Sequence, residues 1–218
     1  MNDSGVLLVL VAVVVAVGAL VAVAVRRRAP SFPEPQGLLR PGAVRGRRFS
    51  TAEPPATVTS VDGSTVDDAV AAFADTAGWV LTSEGARADP RLVRAELPSL
   101  DLMSAGMVRV IEPGAEAVVD FTPGAYTTYG HSGDAAAPAM VMLDALVVVT
   151  VDGSSRWLKI GGVMVRTTAG WTPSTMQSTE LPQPDDLSTP LVKMAPAQAQ
   201  RVMGDTSLGW KSFAAAGR

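Results

Sequence analysis

The chain has one histidine, His131, which lies within its densest run of polar side chains, residues 126–134. In this run Tyr129 precedes the imidazole and Asp134 follows it, so three groups able to hold or move a proton stand close in sequence. A positioned histidine is the commonest general acid–base in enzymes. If the protein is an enzyme, the sequence predicts His131 as the acid–base, oriented by Asp134 or Tyr129.

Other kinds of chemistry have little support. The chain has no cysteine, which excludes disulfides, thiolate metal sites and cysteine nucleophiles. With one histidine, a zinc site would need three carboxylates, and Ser132 is too close in sequence to His131 for a serine–histidine pair. No segment matches a hydrolase elbow or a phosphate-binding loop. We therefore predict no cofactor and no metal, place His131 on a surface loop, and favour a non-enzymatic protein over an enzyme.

Residues 6–25 are an unbroken run of twenty Val, Leu, Ala and Gly residues. A helix of this length spans about 30 Å, the thickness of the hydrocarbon core of a bilayer. The segment before the run contains Asp3 and no Lys or Arg, unlike the start of a cleaved export signal. The sequence therefore predicts a retained transmembrane anchor over residues 1–28 of a single-pass protein of the cell membrane, with the lipid bilayer as a partner.

Arginines follow the span directly, at Arg26, Arg27 and Arg28, and none precedes it. Because basic residues flanking a membrane span are enriched on the cytoplasmic side, this asymmetry predicts a cytoplasmic C-terminal domain. Inside the span, Gly18 and Ala22 are small residues four positions apart, a spacing that lets two helices approach closely. We expect any self-association of the span to use them.

Proline content divides the rest of the chain into three predicted segments, and charge distinguishes the acidic part of the chain. Residues 29–56 contain six Pro and three Gly, which favours an extended tether; we predict a domain over 57–178 and a Pro-rich tail over 179–218. Residues 49–218 carry eleven Lys plus Arg against nineteen Asp plus Glu, a net charge of −8. This acidic balance excludes nucleic acid as a partner. Three Lys against fifteen Arg is typical of GC-rich bacterial genomes.

The domain has one strong helix signal followed by strand signals. Ser64 is predicted to cap a helix whose apolar residues recur at helical spacing over 66–77 and which Gly78 ends; a second helix starts at Asp89 and Pro90. From residue 107 the apolar period is two, as in β-strands. Turns or loops are expected at residues 112–114, 122–124, 130–138, 152–155 and 169–170.

Two details complete the predicted sheet. The run 146–149 is apolar on both faces and should be the central strand, covered on each side. Gly161 and Gly162 are expected to form a bulge. The predicted fold class is therefore α+β, with an antiparallel sheet and one main packed helix.

The tail is predicted to carry a short helix over 197–203 and has two aromatic residues, Trp210 and Phe213. Three positions apart, these rings would lie on one side of a helical turn. So short a segment does not form a stable helix alone. We expect Trp210 and Phe213 to be loosely held in the free protein and to contact the sheet or a partner.

The layout of residues 57–176 is an early amphipathic helix and an antiparallel sheet that ends in a hairpin with Gly170 and Trp171. It resembles the membrane-anchored NTF2-like domains of GC-rich bacteria, such as the Mce-associated proteins. That resemblance implies an accessory domain outside the membrane.

The residues themselves favour a membrane-anchored binding or assembly module that acts through protein–protein contacts. Its partner would be a membrane protein or a second copy. The alternatives are the NTF2-like accessory domain and an enzyme built on residues 126–134.

Overall fold

The computed structural model describes residues 39, 42–50, 63–100, 111–204 and 208–214. All of them belong to the second of two compact units, Met1–Glu34 and Pro35–Arg218. None of the described helices is both long and apolar enough to cross a bilayer. Three predicted features lie outside the described residues: the span itself, its flanking Arg26, Arg27 and Arg28, and the pair Gly18 and Ala22.

The described residues form an α+β fold built on one antiparallel sheet, which confirms the predicted fold class. The described helices are α1 (Val66–Thr82), α2 (Glu84–Ala88), α3 (Pro90–Glu96) and α4 (Pro196–Met203). The strands are β1 (Arg48–Phe49), β2 (Ala117–Asp134), β3 (Ala137–Val151), β4 (Ser154–Thr167), β5 (Gly170–Glu180) and β6 (Lys211–Ser212). In the sheet, β1 to β5 lie in chain order, and β6 pairs with β2.

Helix α1 is capped by Thr65, one residue after the predicted cap Ser64. The Thr65 hydroxyl accepts from the Asp68 N–H at 3.2 Å, and the Asp68 carboxylate accepts from the Thr65 N–H at 3.1 Å. This capping box satisfies two backbone donors that have no partner within the helix. The predicted apolar stripe is buried in the core, at Val66, Ala69, Val70, Phe73, Ala74 and Ala77.

Helix α1 continues past Gly78 to Thr82, so the helix end predicted at Gly78 is wrong. A Cβ atom at Gly78 would lie 2.5 Å from the ring of Phe49. The glycine therefore serves packing, because it lets this ring lie directly against the helix. The second predicted helix is confirmed as α3, which begins at Pro90 with Asp89 as its cap.

Strand β2 is continuous over 18 residues, so the turn predicted at residues 122–124 is wrong. The strand bulges there instead, with four of its residues opposing the single residue Val147 of β3. Pro123 is tolerated because a bulged residue donates no ladder hydrogen bond. Close packing explains Gly124, since a Cβ there would lie 1.9 Å from the Leu146 carbonyl oxygen.

The loop predicted at residues 130–138 is also wrong. Strand β2 runs on to Asp134, Ala135 and Ala136 make the turn, and β3 starts at Ala137. Glycine and small polar residues have low strand propensity. Pairing with β3 along this segment overrides that preference.

The longest predicted hairpin is confirmed as β3 and β4. Asp152 and Gly153 join the strands with positive φ angles of 48° and 81°, as a type I′ turn requires. The bulge predicted at Gly161 and Gly162 is absent from the pairing with β3, which keeps its register there. These glycines leave room for neighbours instead, since a Cβ at Gly162 would lie 2.9 Å from the ring of Phe73.

Strand β3 is central and is covered on both faces, as predicted. One face, called the helix face, packs against α1 and forms the main core. The opposite face is called the outer face. It packs against the chain that follows β5 and forms a second core with Leu146, Val148, Trp157, Leu191, Met194, Ala199 and Val202.

Both ends of the second unit pack on the sheet. Val44 is buried and β1 pairs with β2, so residues 42–49 belong to the fold and the boundary predicted at residue 57 is too late. Phe213 packs in the main core and Trp210 in the second core. The prediction that both rings share one side of a helical turn is therefore wrong. The segment is extended at β6, and residues three apart in a strand point to opposite faces.

Candidate functional site

Strand β2 carries the predicted polar run, and strand alternation divides its side chains between the two faces. On the helix face, the Tyr126 hydroxyl donates to the Gly42 carbonyl at 2.7 Å and accepts from the Val44 N–H at 3.2 Å. The Thr128 hydroxyl donates to the Leu39 carbonyl at 2.8 Å. Burial raises the pKa of Tyr126, although the bond from Val44 opposes the rise. These side chains fasten the N-terminal segment to the sheet.

His131 lies in this strand, opposite Val141, and only 7% of its surface is exposed. Val141 belongs to the main core, so the imidazole is on the helix face. The expectation of an exposed loop histidine is wrong, because pairing of β2 with β3 carries the residue into the interior.

A charged pair that the sequence did not reveal lies on the outer face between β3 and β4. The Lys159 Nζ is 3.1 Å from the Asp144 Oδ2. Burial raises the pKa of Asp144, and the hydrogen bond and positive charge of Lys159 oppose that rise. Gly161 leaves the carboxylate room, since a Cβ there would lie 2.3 Å from Oδ1. The contact exists only because the two strands pair, so no local pattern indicates it.

The predicted acid–base residues are not brought together. Tyr129 lies near Asp144; burial first and this carboxylate second raise its pKa to about 12, so the phenol is neutral at neutral pH. Asp134 is exposed at the end of β2, where its carboxylate accepts from the Ala136 N–H at 2.9 Å. His131 is on the helix face, away from the side of the sheet that carries Asp144.

A cleft of about 520 Å³ opens on the outer face, beside the bulge of β2. Its floor consists of outer-face residues of β2, β3 and β4. One wall is formed by Arg48 and the bulge, and the other by the loop before the 3-10 turn Leu191–Lys193. The lining residues are Arg48, Val118, Asp120, Thr122, Pro123, Val148, Thr150, Ser155, Asp185, Asp186, Leu187, Ser188 and Pro190.

The charges in the cleft are unbalanced. Three carboxylates, those of Asp120, Asp185 and Asp186, stand against the single guanidinium of Arg48. Within the described part of the chain, neither Arg48 nor Asp185 forms an ion pair. The cleft therefore carries two unmatched negative charges and has charged groups free for a ligand.

The loop wall of the cleft is held in shape by Asp186. Its carboxylate accepts from the Thr189 hydroxyl, from the Ser188 hydroxyl at 2.7 Å and from the Ser188 N–H at 2.9 Å. These hydrogen bonds, that from Thr189 foremost, lower the pKa of Asp186 to about 2, so it is charged at neutral pH. Directly after the loop, Leu191 is buried in the second core and anchors that end.

This arrangement suits a cationic group. The carboxylates, with the hydroxyls of Thr150 and Ser155, offer acceptors to the donors of an ammonium or guanidinium group. The volume fits a small molecule or one or two side chains of a partner. Among the described residues, no group of three His, Cys, Asp or Glu is placed to hold a metal ion. Sequence reasoning missed the cleft because its walls come from segments more than 60 residues apart in the chain.

No protein-family model matches the chain, and comparisons with curated proteins and with solved structures found no match. The resemblance to NTF2-like domains therefore depends only on the layout of helices and strands, and it stays a prediction.

Proposed function

We propose that the chain is a single-pass, membrane-anchored, non-enzymatic binding or assembly module that acts through protein–protein contacts at the membrane. The apolar run over residues 6–25 supports the anchor. The observation that carries the binding role is the cleft, in which the charged groups of Asp185 and Arg48 form no ion pair with the described residues. Its ligand is a Lys or Arg side chain of a membrane-protein partner, because segments flanking cytoplasmic membrane ends are rich in these residues.

Binding of a short oligo-arginine peptide to the full chain in detergent tests this role. Asp185→Lys should weaken binding at least about tenfold and reduce its salt dependence, because a carboxylate that attracts the peptide is replaced by a positive charge that repels it. Glu96→Lys is the matched control, since it makes the same change of charge on the exposed end of α3. Equal binding by the two variants, or no binding by the natural chain, would refute the role of the cleft. Affinity capture from solubilised membranes with the same pair then identifies the partner.

The orientation follows from Arg26, Arg27 and Arg28 and is cytoplasmic for the C-terminal domain. Protease added outside intact spheroplasts should leave the domain uncut, and neutral substitutions of the three arginines should produce mixed orientations. Digestion of the domain from outside would favour the second candidate, an NTF2-like accessory domain outside the membrane. The observation that favours this candidate is the order of elements, in which α1 to α3 precede an antiparallel meander.

A further inference from the structure

The C-terminal segment 208–214 is bonded to the N-terminal segment 42–49. The Gly46 N–H donates to the Ala214 carbonyl at 2.9 Å, and the Ala214 N–H donates to the Val44 carbonyl at 2.8 Å. The Lys211 Nζ donates to the Gly42 carbonyl at 3.0 Å. Residues about 170 positions apart in the chain thus hold each other.

Both segments are seated on the bulge of β2. Strand β6 pairs with Ala125 and Tyr126, and the Phe213 N–H donates to the Gly124 carbonyl at 3.2 Å. The ring of Phe213 lies 5.4 Å from that of Phe121 and 4.7 Å from that of Tyr126, centroid to centroid. Phe213 is only 5% exposed, so the expectation of a loosely held ring is wrong.

Gly46 is a point of close approach between the bulge and the C-terminal segment. A Cβ atom there would lie 2.8 Å from the Thr122 Cα and 3.1 Å from the Phe213 Cβ. Gly46 is thus enclosed between the bulge and the C-terminal segment. Arg48, two residues on, and Thr122 both line the cleft. The C-terminal segment therefore packs directly behind one wall of the cleft.

We infer that residues 208–214 are a strap that holds the segment leading from the predicted anchor and the bulge wall of the cleft in place. Release of the strap leaves residues 42–49 dependent on their contacts with β2 and α1 alone. Their detachment then displaces Arg48 from the cleft and lengthens the connection to the predicted anchor by about 25 Å, at ~3.3 Å per extended residue. The effect on ligand binding rests on the proposed role of the cleft. The strap itself does not.

Hydrogen exchange and limited trypsin digestion of the full chain in detergent test the strap. Phe213→Ala should raise deuterium uptake over residues 42–50 and cleavage after Arg45 and Arg47 at least about tenfold, because the strap loses its buried anchor. Gly46→Ala should raise uptake in both 42–50 and 208–214 without any change in the strap's own sequence, because its methyl group separates the strap from the bulge.

Met164→Ala is the control, because it removes a fully buried side chain from β4, a strand that pairs with neither β2 nor β6. At temperatures below the unfolding transition of this variant, deuterium uptake over residues 42–50 should stay as low as in the natural chain. Unchanged uptake over 42–50 in Phe213→Ala would overturn the inference, because residues 208–214 would then not hold the N-terminal segment. Uptake that rises equally across β3 and β4 would also overturn it, because the segment would then unfold only together with the core.

Oligo-arginine binding in the same variants separates the two proposals. A change in peptide affinity in Phe213→Ala, together with local exposure of 42–50, supports control of the cleft by the strap, because Arg48 carries the single positive charge among the lining residues. An unchanged affinity despite that exposure refutes this control. If the natural chain binds no peptide, the proposed function fails, while the exchange results still decide whether the strap exists.

Discussion

Replacing Lys159 by Met should destabilise the domain by leaving the buried carboxylate of Asp144 without its cation. The two charged atoms are 3.1 Å apart, and the side chain of Asp144 is 10% exposed while that of Lys159 is 34% exposed. Removing one partner of a fully buried pair costs about 3–5 kcal/mol, and an exposed pair contributes about 0–1 kcal/mol. This pair is buried at one end only, so we expect a loss of about 1–3 kcal/mol in the free energy of unfolding at neutral pH.

The pH dependence of this loss follows from the raised pKa of Asp144. A carboxyl group whose pKa is higher in the folded than in the unfolded state favours folding at low pH, and this contribution is lost as pH rises through the folded-state pKa. Lys159→Met removes the influences that lower the pKa, so the folded-state value moves further above 3.8. The loss in the free energy of unfolding, relative to the natural chain, should therefore be small near pH ~4 and reach its full size near pH ~7.

Urea unfolding of the full chain in detergent at the two pH values measures both effects. The double variant Asp144→Asn with Lys159→Met should recover most of the loss, because no buried charge remains. A loss in Lys159→Met below about 0.3 kcal/mol at neutral pH, or a loss of the same size at both pH values, would refute the reasoning.

Two further predictions concern α1 and are measured as shifts in the urea midpoint. Thr65→Ala removes one half of the capping box and should cost about 1 kcal/mol of stability. Ser64→Ala, one residue earlier, should leave the stability unchanged. Equal costs would show that Thr65 is not the cap of α1. Gly78→Ala should destabilise the domain by about 1–3 kcal/mol, because its methyl group would meet the ring of Phe49. This cost outweighs the preference for Ala over Gly in a helix, which is about 1 kcal/mol. A stabilised variant would contradict the packing.

Features that depend on a few neighbouring residues were predictable from the sequence. The apolar stripe of α1 recurs every three or four residues, Asp89 and Pro90 start α3, and Asp152 with Gly153 forms a turn that needs two positive φ angles. Each of these depends on contacts or dihedral angles within about one helical turn or one β-turn.

The candidate site was not predictable in this way. Pro123 and Gly124 have the composition of a turn, and only pairing with β3 makes them a bulge inside a continuous strand. The same pairing buries His131 on the helix face of the sheet. The cleft is formed by segments far apart in the chain.

The sequence by itself therefore determined the α+β class, the main helix and the longest hairpin, because local backbone preferences and apolar periodicity specify them. The tertiary structure alone decided that Phe213 belongs to the core, that residues 42–49 belong to the fold, and that Asp144 meets Lys159. The physical reason is that burial and cross-strand hydrogen bonds between distant segments outweigh the weak local preferences of Pro, Gly and small polar residues.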